Sequence, residues 1–251
     1  MTTDEPRPLT EHLAELRKRL VRTLGAWLVA FLAAYLFKED VFEILMWPAI
    51  EPVLGAGRKL SAIAPAELFM SYVKASFLAG FLVTVPITLY QAWKFIAPGL
   101  YESEKRMVVP FVVSASALFL AGNLFGYFVA FPVVFDYFLS LESGYVETQW
   151  TTETVFAFMS RLYLAFGVAF ELPIVVFFLS AAGIVSVDQL SRWRPYAVVT
   201  MFVIGAILTP PDVVSQIMLS IPLILLYEVG LLAARLSMKR SAQPETAPAD
   251  A

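Results

Sequence analysis

A carboxylate set inside an apolar run is the residue of this sequence best placed to do chemistry. Glu171 lies in Phe170-Glu171-Leu172-Pro173, near the middle of a stretch that reads as apolar from about Val155 to Val185. If that stretch crosses a bilayer, a carboxylate at its centre costs about 2.5–3.5 kcal/mol on insertion scales unless it faces protein, water or a partner. One reading is a polar hollow within the membrane, used for substrate contact, partner docking or protonation. The other is a structural pair with a second buried polar side chain. Arg161 is a poor candidate for that pair, because its spacing turns it onto a different face of the helix.

Other polar groups cluster near the ends of apolar runs. In Thr10-Glu11-His12-Leu13-Ala14-Glu15-Leu16-Arg17-Lys18-Arg19-Leu20, Leu13, Leu16 and Leu20 form one stripe and Thr10 is placed to cap a helix. Glu15 and Arg19 stand at i and i+4, so the plainest reading is an interfacial helix with one weak internal ion pair. Phe95-Ile96-Ala97-Pro98-Gly99-Leu100-Tyr101-Glu102-Ser103-Glu104-Lys105-Arg106 combines aromatic residues, a Pro-Gly turn and two carboxylates beside basic anchors. Carboxylates there can clamp a guanidinium through bidentate hydrogen bonds that an ammonium does not reproduce. A solvated turn is the alternative. In Thr209-Pro210-Pro211-Asp212-Val213-Val214-Ser215-Gln216, Asp212 is placed to cap the following helix. Gln216 then lies one turn inside it, facing a neighbouring helix or a polar guest.

The elements that must hold these groups are membrane spans. The chain is 59% apolar and 16% charged, with a mean hydropathy of +0.73. A soluble domain is about 45–50% apolar and about 25% charged. With no cysteine and one histidine, disulfides, thiolate sites and any site needing two imidazoles are excluded. No cofactor is implied, no nucleophile and base stand together within the spans, and no phosphate-binding Gly-Lys loop occurs. The first 19 residues lack the short apolar core of a cleavable signal peptide.

Six spans are expected: Leu20 to Phe37, Glu67 to Trp93 with Pro86 inside, Val108 to Leu139, Val155 to Val185, Pro195 to Thr209, and Val213 to Leu236. The last two form a short hairpin, which suggests local bilayer thinning. Residues 1–19 then form an amphipathic segment, 20–236 the membrane domain and 237–251 a disordered tail. Val41 to Ile50 is too short to span and reads as short helices or turns at the outer interface. Ser186 to Arg194 reads as a basic inner loop, and Glu228 as a partner for Arg235. Arg17, Lys18, Arg19, Arg22, Lys94, Lys105, Arg106, Arg192, Arg194, Arg235, Lys239 and Arg240 fall on one side, which places both termini in the cytoplasm.

Taken together and in order, several segments resemble the TatC family, the multispanning core of the twin-arginine protein translocase. They are His12 to Leu20; Pro86 with Tyr90 to Tyr101; Glu104-Lys105-Arg106; Phe170-Glu171-Leu172-Pro173; and Thr209-Pro210-Pro211-Asp212 with Ser215-Gln216. The resemblance implies an all-α inner-membrane protein of a prokaryote with a concave intramembrane surface. It implies a receptor and scaffold for folded proteins bearing twin-arginine signal peptides, assembled as a homo-oligomer with the single-span partners TatA and TatB and driven by the proton gradient. By that likeness Glu15 and Glu104 receive the signal's arginines, and Arg17, Phe95 and Pro98 shape the site. Glu171 lines the concave surface, while Pro48, Asp212 and Gln216 serve the outer cap and the docking of partner spans. The rival is a proton-coupled small-molecule transporter in which Glu171 titrates, and an intramembrane enzyme ranks last.

Overall fold

A chain this apolar must satisfy its backbone within each segment, and helices do so. The computed structural model describes residues 9–96, 108–143, 145, 148–181, 183–209 and 212–241, almost all of them helical. In order these are α1 (Leu9–Leu36), α2 (Lys38–Gly55), α3 (Pro65–Ile96), α4 (Val108–Phe125), a π-helical turn (Gly126–Ala130), α5 (Phe131–Ser140), α6 (Thr152–Ala169), α7 (Leu172–Ala181), α8 (Val187–Arg192), α9 (Arg194–Leu208) and α10 (Val213–Ser241). Five apolar stretches reach membrane-spanning length: Thr10–Leu36, Pro65–Phe95, Val109–Ser140, Thr152–Ala181 and Val213–Leu236. The protein is therefore an all-α, multi-pass membrane protein. Helix α9, with 15 residues, falls short of the roughly 17–25 a span usually takes. Of the two final helices expected to be short, only α9 is, because α10 supplies a 24-residue apolar stretch.

Several local expectations change. Helix α1 runs unbroken across residues 19 and 20, and Thr10 lies inside its first turn rather than capping it. The segment around Val41 to Ile50 is one helix, α2, which carries Pro48 and Pro52 within it. Ser186 to Arg194 is not a loop but holds α8, whose start is fixed by a reciprocal capping box between Ser186 and Gln189. Helix α10 continues through residues 237–241. Proline explains two irregularities. The N–H of Phe131 donates five residues back, to Gly126 O, just before Pro132, which has no N–H to offer. Pro173 likewise cannot bond Ala169 O, and the fourth span breaks at Phe170 and Glu171.

The chain forms two compact units. In the first, residues 1–117 and 138–160, α1 lies along α3. A Cβ on Gly80 would stand 2.7 Å from the Phe31 backbone nitrogen, so the crossing needs glycine. The Trp27 indole donates to Phe77 O at 3.0 Å, and Phe42 meets the Tyr72 ring edge-on at 5.3 Å. The segments before α3 and α6 are clasped together. Ser61 N donates to Trp150 O at 2.8 Å and Thr152 N to Ser61 O at 2.9 Å. Glu67 accepts from Thr152 Oγ1 and Glu153 N, both at 2.9 Å, which caps α6. Glu142 accepts from the Trp150 indole at 2.9 Å and from Arg58 at 3.1 Å.

The Trp150 N–H, with further help from Thr148 and Arg58, holds the Glu142 carboxyl below the usual carboxylate range. A lowered native pKa stabilises the clasp above the unfolded value and is lost as pH falls through the native one. Protection of the Ser61 and Thr152 amides, taken against the intrinsic exchange rate at each pH, should therefore fall on acidification below about pH 4.5, the unperturbed carboxyl value. In Glu142→Gln that acid step should shrink to the part due to Glu67, whose carboxylate also holds Thr152 and Glu153; an unchanged step in the variant would assign it to Glu67 alone.

In the second unit, residues 118–137 and 161–251, small residues let backbones meet, which matters where lipid supplies no hydrophobic drive between helices. Added Cβ atoms would lie 2.4 Å from Phe166 O at Gly122, 2.5 Å from the Phe119 ring at Gly167, 2.6 Å from Ser220 Oγ at Gly205 and 2.9 Å from Pro173 Cα at Gly230.

Candidate functional site

Helical spacing puts Glu15, Lys18, Arg19 and Arg22 on one stripe of α1. With Ala14 and Lys94 of α3 they line a cavity of about 360 Å³. Glu15 pairs with Arg19, as their spacing predicts, and Arg19 is buried at 9% exposure. Lys94 lies over the Tyr90 ring at 5.4 Å. One turn before Glu15, the His12 ring stacks on Phe95 at 4.3 Å, joining the start of α1 to the end of α3. His12 is exposed, and its stack sets Phe95 against the turn of α1 that precedes Glu15. Arg17 is exposed, and two residues of helix turn it away from the Glu15 stripe. Pro98 and Glu104 lie outside the described residues.

The second group of expected residues is dispersed. Glu171 sits at the break between α6 and α7, with Oε1 buried and no hydrogen-bond partner among the described residues. Arg161 makes no bond to it. Instead Arg161 lines a separate, mainly apolar cavity of about 880 Å³, together with Leu164, Val168, Trp193, Tyr196 and Tyr227. Glu171 is not among the residues that line this cavity. Asp212 Oδ1 accepts from Ser215 N at 2.7 Å, the expected cap of α10. Gln216 donates to Phe202 O on α9 at 3.1 Å and so ties the two arms of the hairpin. Pro48 is fully buried within α2, whose exposed side carries Ile44, Trp47 and Leu54.

Glu228 pairs with Arg194 at 2.7 Å, not with Arg235, which bonds Ser191 Oγ at 2.6 Å. The cause is register: two turns along α10 separate Glu228 from Arg235, whereas α9 presents Arg194 directly. Sequence reasoning also missed the capping role of Glu67, which carried no signal, and the α8 capping box, which did: Ser186 and Gln189 have the required spacing.

Comparison with known proteins matches residues 11–222 to the family model of the Sec-independent protein translocase protein TatC. The chain belongs to the TatC family. It is 42% identical over 247 residues to the Sec-independent protein translocase protein TatC of Desulforapulum autotrophicum, covering 98% of this chain and 91% of that one. It is 39% identical to TatC of Escherichia coli K12 over 235 residues, covering 94% and 91% respectively. A crystal structure of a twin-arginine translocase receptor, TatC, superposes with a TM-score of 0.78 at 37% identity, over 90% of this chain and 99% of the other. A second crystal structure of that receptor, in the detergent DDM, gives 0.77. This TatC-family chain is a translocase component and not an enzyme. Among the described residues no group of three His, Cys, Asp or Glu could hold a metal ion.

Proposed function

We propose that this chain is the receptor and core scaffold of a twin-arginine translocase, binding the signal peptides of folded precursors at the cytoplasmic face of a prokaryotic inner membrane. The observation that carries this reading is the His12–Phe95 stack, which sets the Glu15 carboxylate beside the end of α3, where a guanidinium can be clamped. Glu104 and Pro98 complete the site from the segment that follows α3, and Arg17 flanks it.

In this reading α9 is the sixth span, shortened so that the bilayer thins beside it, and both termini are cytoplasmic. Residues 1–19 form the receptor segment, 20–236 the membrane domain and the polar tail follows. Glu171 lines a concave intramembrane surface. Pro48, Asp212 and Gln216 hold the outer cap and the hairpin against which the TatA and TatB spans assemble. Several copies of the chain form the complex, and the proton gradient drives export.

The test is photocrosslinking from positions 15, 95 and 104 to a folded twin-arginine precursor and to its twin-lysine counterpart. Adducts from all three positions that disappear with twin lysine support the receptor. Their absence from correctly inserted protein, with uptake of a small solute by the purified chain, would move the assignment to a proton-coupled transporter using Glu171, whose buried Oε1 has no protein partner among the described residues.

A further inference from the structure

The Glu15 carboxylate does not wait empty for a guanidinium: it already holds one, from Arg19 a turn away on the same helix. An arriving arginine must displace Arg19, and a buried cation cannot be released without another anion to meet it. The cavity beside the pair offers the place for one. Around its roughly 360 Å³ stand Lys18, Arg19, Arg22 and Lys94 against the single carboxylate of Glu15. Neither Lys18 nor Arg22 meets a carboxylate among the described residues, and both are exposed. The apolar part of α1 begins at Leu20, so these cations ring the boundary between hydrocarbon and headgroups. Basic pockets between helices at that depth take anionic headgroups.

We propose that this pocket between α1 and α3 binds the phosphodiester of an anionic phospholipid, and that the bound phosphate takes Arg19 and frees Glu15 for the incoming arginine. Lys18 and Arg22, at i and i+4, grip the phosphate from one side and Lys94 from the other. Arg19 then exchanges one anion for another without being left unpaired. The lipid half of this inference stands on the pocket alone, while the unmasking half rests on the receptor reading of Glu15.

The experiment uses the full chain in vesicles of phosphatidylcholine alone or mixed with phosphatidylglycerol. One readout is the immobilised fraction of spin-labelled phosphatidylglycerol. The other is the ratio of twin-arginine to twin-lysine peptide affinity, which cancels the general attraction of a basic peptide to an anionic surface. Wild type should immobilise the labelled lipid, and the peptide ratio should rise roughly fivefold with phosphatidylglycerol, the scale of releasing one partly exposed ion pair. Lys18→Gln with Arg22→Gln should lose both effects while keeping the ratio seen in phosphatidylcholine. Arg19→Gln should show the raised ratio in phosphatidylcholine alone.

Inorganic phosphate added to phosphatidylcholine vesicles should leave the ratio unchanged. A rise there would overturn the assignment to a lipid. Equal immobilisation by wild type and the double variant would overturn the site. An unchanged ratio in Arg19→Gln would overturn the unmasking. If no variant distinguishes the peptides in any vesicle, the receptor reading fails and the unmasking with it, while the spin label still decides the lipid site.

Discussion

Glu15→Gln should weaken binding of a twin-arginine peptide by about 10- to 100-fold and leave the twin-lysine peptide almost unaffected. A hydrogen bond to a charged group contributes about 1.5–3 kcal/mol, and each 1.4 kcal/mol is a factor of ten. The amide keeps the shape of the carboxylate but offers one acceptor oxygen in place of two and carries no charge, so the bidentate clamp is lost. Glu15→Lys should go further and abolish discrimination, because it adds a fifth cation beside Lys18, Arg19, Arg22 and Lys94. Either change also strips Arg19 of its partner, so the comparison is Glu15→Gln with Arg19→Gln, which removes the orphaned charge. If that double variant recovers peptide binding, the single variant failed through Arg19. Peptide titration in vesicles reads all three, and an affinity in Glu15→Gln within twofold of wild type would remove Glu15 from the receptor site.

Gly122→Val should unfold the second unit, or leave it so weakened that it aggregates in mild detergent. The first added carbon would lie 2.4 Å from the carbonyl oxygen of Phe166 and 2.8 Å from the Phe170 ring. A flexible side chain can swing aside, but a helix carbonyl cannot, so α4 and α6 must separate. Overpacking in a tight core costs about 1–3 kcal/mol and more where the backbone must move. Gly25→Val is the matched control, because nothing lies within 4 Å of a Cβ there. A melting temperature for Gly122→Val within a degree or two of the Gly25→Val value would show that the two helices do not meet so closely.

Five of the six expected spans were readable because apolar length is a property of composition, and the backbone leaves few alternatives to a helix in hydrocarbon. Glu15 and Arg19 were readable as a pair because i and i+4 neighbours meet on any helix. Asp212 announced itself by standing just before an apolar run. What stayed hidden depended on contacts between distant segments. Nothing in the sequence ties Glu67 to the start of α6, some 85 residues away, or Arg194 to Glu228 rather than to any other carboxylate. Helix α2 exceeds the short helices or turns expected of an apolar stretch too short to span, and burial of Met46, Ala49 and Val53 holds it together around Pro48 and Pro52.

The unbroken course of α1 works as a height gauge. Its apolar part starts at Leu20, and Glu15 lies five residues before it, which at about 1.5 Å per residue is roughly 8 Å. A headgroup layer adds about 5–7 Å to each side of the hydrocarbon. With both termini cytoplasmic as proposed and α1 set along the membrane normal, that rise puts Glu15 at the water-side edge of that layer. On the proposed receptor reading, a signal gripped there is met at the door of the bilayer: its apolar part can slip inward while the folded cargo behind it stays in water, undeformed.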